Sequence, residues 1–237
     1  MTTAQAAAAR LDTSKSGAPA AITAAPADKN AYTSHTWWYD VRGFGILTFA
    51  YQDTLWRQIR FFEGNLRTAH LEVAVGTGTL FQMVLKKRRR NGTLPQQIVG
   101  LDYSEEMLDG AKRRFRKDPS VTLLQGTVCE MPYKDGSFDS VNIANAIHCF
   151  SDVSGALREV KRVMAPGGTL AVNILLYPTG FSLARRIANA INAWGIKKGI
   201  LHTPFTESDA LAHFTAAGFK IAGSRVKGNC LYVLATA

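Results

Sequence analysis

Two glycines one residue apart, a carboxylate ending the next apolar run and a histidine beyond a later one are the residues here whose types and spacing can do chemistry. Leu71-Glu-Val-Ala-Val-Gly-Thr-Gly-Thr79 is an apolar run closed by Gly76 and Gly78, and Leu80-Phe-Gln-Met-Val-Leu85 continues as the first turns of a helix. A strand turning into a helix over glycines brings backbone N–H groups and a positive helix end close to a ligand. Gln97-Ile-Val-Gly-Leu-Asp102 is a second strand-like run, and its terminal carboxylate is placed to hold two ribose hydroxyls. Together Gly76, Gly78 and Asp102 fit an adenosine-containing ligand. A nicotinamide dinucleotide would need a small third residue in G-x-G-x-x-G, and Phe81 stands there instead. His148, in Asn145-Ala-Ile-His-Cys149, is the best-placed base by chain position, with His35 and His202 as alternatives. Its competing reading is a helix-start histidine that packs and hydrogen-bonds locally.

The elements that must position these residues alternate. His70–Val75, Gln97–Asp102, Val121–Gln125, Phe138–Ala144 and Thr169–Leu176 read as strands. Between them, helices are expected over Thr79–Arg90, after the cap at Ser104, and over the helical spacing of Val153, Leu157, Val160 and Met164. Thr206 and Asp209 have capping-box spacing for a last helix, and Phe219–Val226 and Cys230–Thr236 form a hairpin joined by Lys-Gly-Asn. Alternating strands and helices predict an α/β fold, a doubly wound, mostly parallel seven-stranded sheet with an antiparallel C-terminal strand. Glu130-Met-Pro-Tyr-Lys-Asp-Gly136 is a polar connection expected to line the crevice at the strands' carboxyl ends.

Three regions follow from composition. Residues 1–30, rich in Ala, Thr, Ser and Pro, are expected to be disordered, with too few large apolar groups to offset ordering. Residues 31–64 form an aromatic helical segment in which Leu55, Ile59 and Phe62 share a face, and residues 65–237 form the main domain. Within that domain, 177–199 is an insertion on the ligand side carrying Ile187, Ile191 and Trp194.

The formal charge of +10 is accounted for by two runs, Lys86-Lys-Arg-Arg-Arg90 and Lys112, Arg113, Arg114, Arg116 and Lys117. Each falls at a helix C-terminus, where cations complement the dipole, and so at the sheet edge away from the crevice. A solvated edge is the expected role, with contact to an anionic membrane or an acidic partner as the alternative. Nucleic acid is not expected as a partner. Cys129, Cys149 and Cys230 are scattered without metal-ligand spacing, so no metal is expected, and free thiols suit a reducing cytoplasm.

Longer stretches carry a resemblance. Glu72-Val-Ala-Val-Gly-Thr-Gly78, Val99-Gly-Leu-Asp-Tyr-Ser-Glu-Glu-Met-Leu108, Gln125-Gly-Thr-Val-Cys-Glu-Met-Pro-Tyr133, Phe138-Asp139 and Leu157-Arg-Glu-Val-Lys-Arg-Val-Met-Ala-Pro-Gly-Gly168 resemble the class I S-adenosylmethionine-dependent methyltransferases. The similarity is to the ubiquinone- and menaquinone-biosynthesis group and its small-molecule relatives. It implies S-adenosyl-L-methionine as cofactor, with Glu72, Gly76 and Gly78 around its methionine part and Asp102 on its ribose. Tyr103 and Met107 would flank the adenine, Thr127 and Val128 would meet its edge, and Asn145 would lie near the sulfonium. Ala74 replaces the usual first glycine, so the turn must either avoid positive φ there or leave room for a methyl. Thr127 stands where an aspartate commonly accepts the adenine amino group.

On this reading the chain methylates a small, aromatic or lipophilic metabolite. Trp37, Tyr39, Tyr177 and Phe181 would form an aromatic lid, and Arg185 could pair an anionic group of the acceptor. Two alternatives stand beside it: a quinone-precursor C-methyltransferase at the membrane surface, and a cofactor-binding regulatory protein that does not transfer methyl. The choice among O-, N-, S- and C-methylation and the oligomeric state are not written in the sequence.

Overall fold

A computed structural model describes residues 51–178, 183–197 and 204–237. The expected tail and the aromatic residues Trp37 and Tyr39 lie outside that range, as does Phe181 of the insertion.

The chain enters through helix α1 (Leu55–Asn65), capped by Thr54, whose hydroxyl accepts from the Arg57 N–H at 3.3 Å. The repeating units follow: β1 (Ala69–Val73), α2 (Thr79–Arg90), β2 (Gln97–Asp102), α3 (Glu105–Phe115), β3 (Val121–Gln125) and β4 (Phe138–Ile143). A short 3₁₀ turn, Ile147–Cys149, leads to α4 (Val153–Val163) and β5 (Met164–Leu175). Helices α5 (Leu183–Lys197) and α6 (Glu207–Ala216) precede the hairpin β6 (Lys220–Lys227) and β7 (Cys230–Thr236). One seven-stranded sheet results, in the order β3-β2-β1-β4-β5-β7-β6. The first five strands by sequence pair in parallel, and β7 is antiparallel to both its neighbours, as the alternation predicts.

Strands β1, β2 and β4 are covered on both faces and buried along almost their whole length, including polar residues such as His70, Glu72 and Asn142. Leu71, Val73, Val141 and Val172 pack with Leu157 and Val160 of α4 and Phe214 of α6 on one face. On the other face, Ile59 and Phe62 of α1, Phe81 and Val84 of α2, and Leu108 and Phe115 of α3 pack with Ile98 and Ala171. Caps expected from sequence form at Ser104, whose hydroxyl accepts from the Met107 N–H, and at Thr206, which accepts from the Asp209 N–H.

Three local expectations need correction. Strand β1 stops at Val73 because Ala74 takes a left-handed conformation, φ 54°. Helix α4 ends at Val163 and β5 begins at once, five residues ahead of the expected Thr169. The residue before a proline is pushed to extended backbone, so the chain straightens ahead of Pro166. Connection 130–136 does not hang over the crevice. Met131 and Tyr133 are buried against the sheet, and the segment is strapped to α4: Glu159 accepts from the Met131 N–H at 2.7 Å, while the Arg162 guanidinium donates to the Tyr133 carbonyl at 2.7 Å and to Asp135 at 2.6 Å.

The basic runs are less free than a solvated edge implies. Lys87 pairs with Glu63 at 2.9 Å, Arg89 pairs with Asp118 at 2.6 Å, and Arg88 donates to the Leu66 carbonyl at 2.9 Å. Arg114 turns inward, and its Nε donates to the Thr77 carbonyl at 2.9 Å, inside the glycine turn.

Candidate active site

Glycine-turn geometry comes first. Gly76 and Gly78 both have positive φ, 58° and 75°. A side chain at Gly78 would strike the ring of Phe115, 2.5 Å from where its Cβ would sit, whereas a Cβ at Gly76 would meet nothing within 4 Å. Gly78 is thus required by packing, and Gly76 presents bare backbone to open space, the condition for close approach of a ligand.

Asp102 holds this turn in place. Its Oδ2 accepts from the Gly76 N–H at 2.6 Å and its Oδ1 from the Ser104 N–H at 2.9 Å. Burial raises its pKa, opposed by the backbone N–H groups of Gly76, Ser104 and Tyr103. A carboxylate oxygen has two lone-pair sites, so each of these oxygens retains acceptor capacity for a hydroxyl. The acidic residue at the end of β2 therefore both shapes the turn and can bind a ribose. Phe81, in the third-glycine position, is buried against Phe115 and His70, which fills the close helix–strand gap a dinucleotide turn would need.

Ala74 keeps its methyl at positive φ and packs it against the core. An L-residue there costs about 1–2 kcal/mol. Ala74→Gly should therefore stabilise the fold by about 0.5–1 kcal/mol, the strain relieved less glycine's added unfolded-state entropy. Chemical denaturation with an unchanged m-value checks this.

The other sequence-predicted residues divide. Tyr103 is 72% exposed, and Met107 is buried in the first turn of α3. Thr127 is committed locally, its hydroxyl accepting from the Cys129 N–H at 3.2 Å, while Val128 packs on the core. Glu72 faces α1 rather than open space. Its Oε2 accepts from the Asn142 amide at 3.2 Å and lies 3.3 Å from His70 Nε2, in a network that Asn65 of α1 extends by donating to Asn142 at 2.9 Å. Tyr177 is 49% exposed just past β5, its N–H donating to the Phe205 carbonyl at 2.9 Å. Arg185 is half-buried on α5.

Beyond β4 the structure assembles a cluster that sequence reasoning found only in part. Asn145 has positive φ, 55°, and its amide exchanges two hydrogen bonds with Gln58 of α1, at 3.1 and 2.9 Å. Asn173 of β5 accepts from the Asn145 N–H and donates to its Oδ1, both at 2.6 Å. His148 is buried, with Nε2 3.0 Å from the Tyr51 hydroxyl and the two rings edge to face. Burial lowers its pKa to about 4, so the imidazole is neutral at pH 7. Asp53, two residues after Tyr51, accepts from the hydroxyl of Tyr232 and pairs with Arg57. Tyr51, Gln58 and Asn173 were not singled out beforehand. The available signal was a polar side chain inside an apolar pattern, as with Asn173 in Leu170-Ala-Val-Asn-Ile-Leu175.

Comparison with known proteins agrees with this geometry. A methyltransferase-domain family model matches residues 71–172, from β1 through the middle of β5. The chain is 39% identical over 103 residues to a demethylmenaquinone methyltransferase of Thermus thermophilus, covering 43% of this chain and 44% of that protein. It is 32% identical over 130 residues to a demethylmenaquinone methyltransferase of Staphylococcus aureus, covering 54% and 52%. The chain thus spans about half the length of these curated relatives. Among solved structures, an S-adenosylmethionine-dependent methyltransferase from Thermotoga maritima superposes with a TM-score of 0.60 at 19% identity, covering 85% of this chain and 98% of that one. One from Mesorhizobium loti gives 0.59 at 18%, covering 78% and 99%. At those identities the likeness is one of fold.

Proposed function

We propose that this chain, whose residues 71–172 match a methyltransferase-domain family model, is a class I S-adenosylmethionine-dependent methyltransferase that transfers a methyl group to a small aromatic or lipophilic acceptor. The observation that carries the reading is the pairing of Asp102 with the Gly76 N–H at 2.6 Å, across a turn whose backbone borders open space. An adenosine-bearing cofactor fits there: the buried carboxylate would take the ribose hydroxyls, exposed Tyr103 would cover the adenine, and Asn145 would border the methyl-bearing end. The bound cofactor supplies an already activated methyl on its sulfonium.

What remains for the protein is placement and exclusion of water. The Gln58–Asn145–Asn173 amides would fix the wall beside the reacting centre, each held by the others. Where the accepting atom carries a proton that must leave, the Tyr51–His148 pair is the group to receive it. A neutral imidazole can accept a hydrogen bond from the tyrosine hydroxyl and so draw a proton through it. Tyr177 and Arg185, with Trp37, Tyr39 and Phe181, would select the acceptor.

A finer reading is favoured by the two bacterial relatives: a demethylated quinol as acceptor, methylated at ring carbon. Carbon–carbon bond formation there releases a ring proton, which gives the Tyr51–His148 pair its task. Incubation with methyl-labelled S-adenosylmethionine and a short-chain demethylmenaquinol, followed by mass analysis, is expected to show one added methyl. Label entering no quinol but a different metabolite of a cell extract would retain the methyltransferase and discard the quinol. Tight cofactor binding without label transfer to any acceptor would return the chain to a regulatory role.

A further inference from the structure

Helix α1 and the edge hairpin border an open cavity that the methyl-transfer reading does not use. It has a volume of about 430 Å³, in the range of small-molecule sites. It lies over β7 and β6, three to four strand spacings from β1, or roughly 14–19 Å from the glycine turn. Phe61, Tyr232 and Leu234 line it with apolar surface, and Phe61 meets the Tyr232 ring edge to face, their centroids 4.8 Å apart. Four cations also line it: Arg57 and Arg60, one turn apart on α1, and Arg225 and Lys227 from β6.

Most of the charge around this cavity is unpaired among the described residues. Among the described residues no acidic side chain lines it. Arg57 is paired to buried Asp53, but Arg60, Arg225 and Lys227 have no ion-pair partner among the described residues. Charged residues on an edge strand commonly serve only to prevent pairing with another sheet. That role accounts for Arg225 and Lys227, yet not for Arg60, which a separate element brings to the same concavity above an aromatic floor. Both features match one kind of molecule, an anion that carries a flat apolar group.

We propose that this cavity binds a small phosphate monoester, its phosphate among Arg60, Arg225 and Lys227 and its apolar group against Phe61, Tyr232 and Leu234. Guanidinium groups suit phosphate because their planar donors engage two oxygens at once. The site is separate from the proposed methyl-transfer centre, and occupancy there requires no turnover.

Calorimetric titration of the full chain with 1-naphthyl phosphate at low salt tests it. Saturable one-to-one binding is expected, weakened at least tenfold in the R60Q/R225Q double variant. Both positions are exposed, so the variant should keep the parent's melting temperature and its affinity for S-adenosylhomocysteine. Inorganic phosphate should bind at least tenfold more weakly than the naphthyl ester, and neutral naphthalenemethanol likewise. Equal affinity for inorganic phosphate or for the neutral alcohol would overturn the proposal, since either the floor or the cations would then be idle. So would arginine-dependent binding to phosphatidylglycerol vesicles without binding of the soluble ester, which would make this a membrane face.

Discussion

Asp102→Ala is expected to weaken S-adenosylmethionine binding by about a hundredfold. A hydrogen bond to a charged group contributes about 1.5–3 kcal/mol, and two ribose hydroxyls lose their acceptor together. A loss of about 3 kcal/mol corresponds to roughly two decades in dissociation constant. The same substitution leaves the Gly76 and Ser104 N–H groups without the oxygens they now donate to, at 2.6 and 2.9 Å, so the turn itself should loosen. Asp102→Asn separates the two effects. Its amide oxygen can still accept from one N–H and preserve more of the turn, while the charge is gone. Titration calorimetry on both variants, with melting temperatures alongside, provides the measurement. An unchanged dissociation constant in folded Asp102→Ala would remove the ribose from this end of β2.

His148→Ala should lower turnover by about a hundredfold, the lower range for losing a positioned proton acceptor, while cofactor affinity changes by less than about twofold. Tyr51→Phe should reproduce much of that loss, because the hydroxyl 3.0 Å from Nε2 would be the proton's route to the imidazole. Turnover unaffected by either change would make the pair a packing contact. A second measurement reads the burial of His148 directly. Its pKa of about 4 in the folded chain lies below the ordinary 6.5. Between those values an unfolded chain takes up a proton that the folded chain refuses, so the stabilising contribution is complete above pH 6.5 and is lost as pH falls toward 4. The ceiling on that loss is about 3 kcal/mol. Denaturant midpoints between pH 7 and 4.5 should fall less steeply in His148→Gln than in the parent.

Much of this architecture was legible because strand and helix periodicities differ and both are strongly marked here. Apolar runs expected to end at Val75 and Asp102, with helical spacing after each, leave little topological freedom once crossovers are right-handed. Ser104 and Thr206 announced helix starts through their own side chains. The turn at Gly76 and its partner Asp102 were readable for the same reason: their chemistry is local to two strand ends that the fold makes neighbours. Other parts depend on contacts between distant segments. Nothing near Glu72 in sequence reveals that Asn142 and Asn65 surround its carboxylate, and nothing near residues 130–136 reveals Arg162 as their anchor. Gln58, Asn145 and Asn173 come from three separate elements, and an amide pattern of that kind exists only after the helix is laid across the sheet.

That dependence on distant segments has a consequence for the order in which the molecule can be made. Tyr51 is held from the far end of the chain: its carbonyl accepts from the Asn229 N–H at 2.8 Å, and neighbouring Asp53 receives the hydroxyl of Tyr232. Gly228, in the hairpin turn, sits so close to the Tyr51 and Gln52 carbonyls that a Cβ would come within 2.4–2.6 Å of them. During synthesis the strands that carry Gly76 and Asp102 leave the ribosome long before this hairpin does. The cofactor end can therefore organise early, whereas the Tyr51–His148 contact must wait for the β6–β7 hairpin, a closure across nearly the whole described chain. A nascent or C-terminally shortened chain would be able to hold the methyl donor before it had anywhere to send the acceptor's proton.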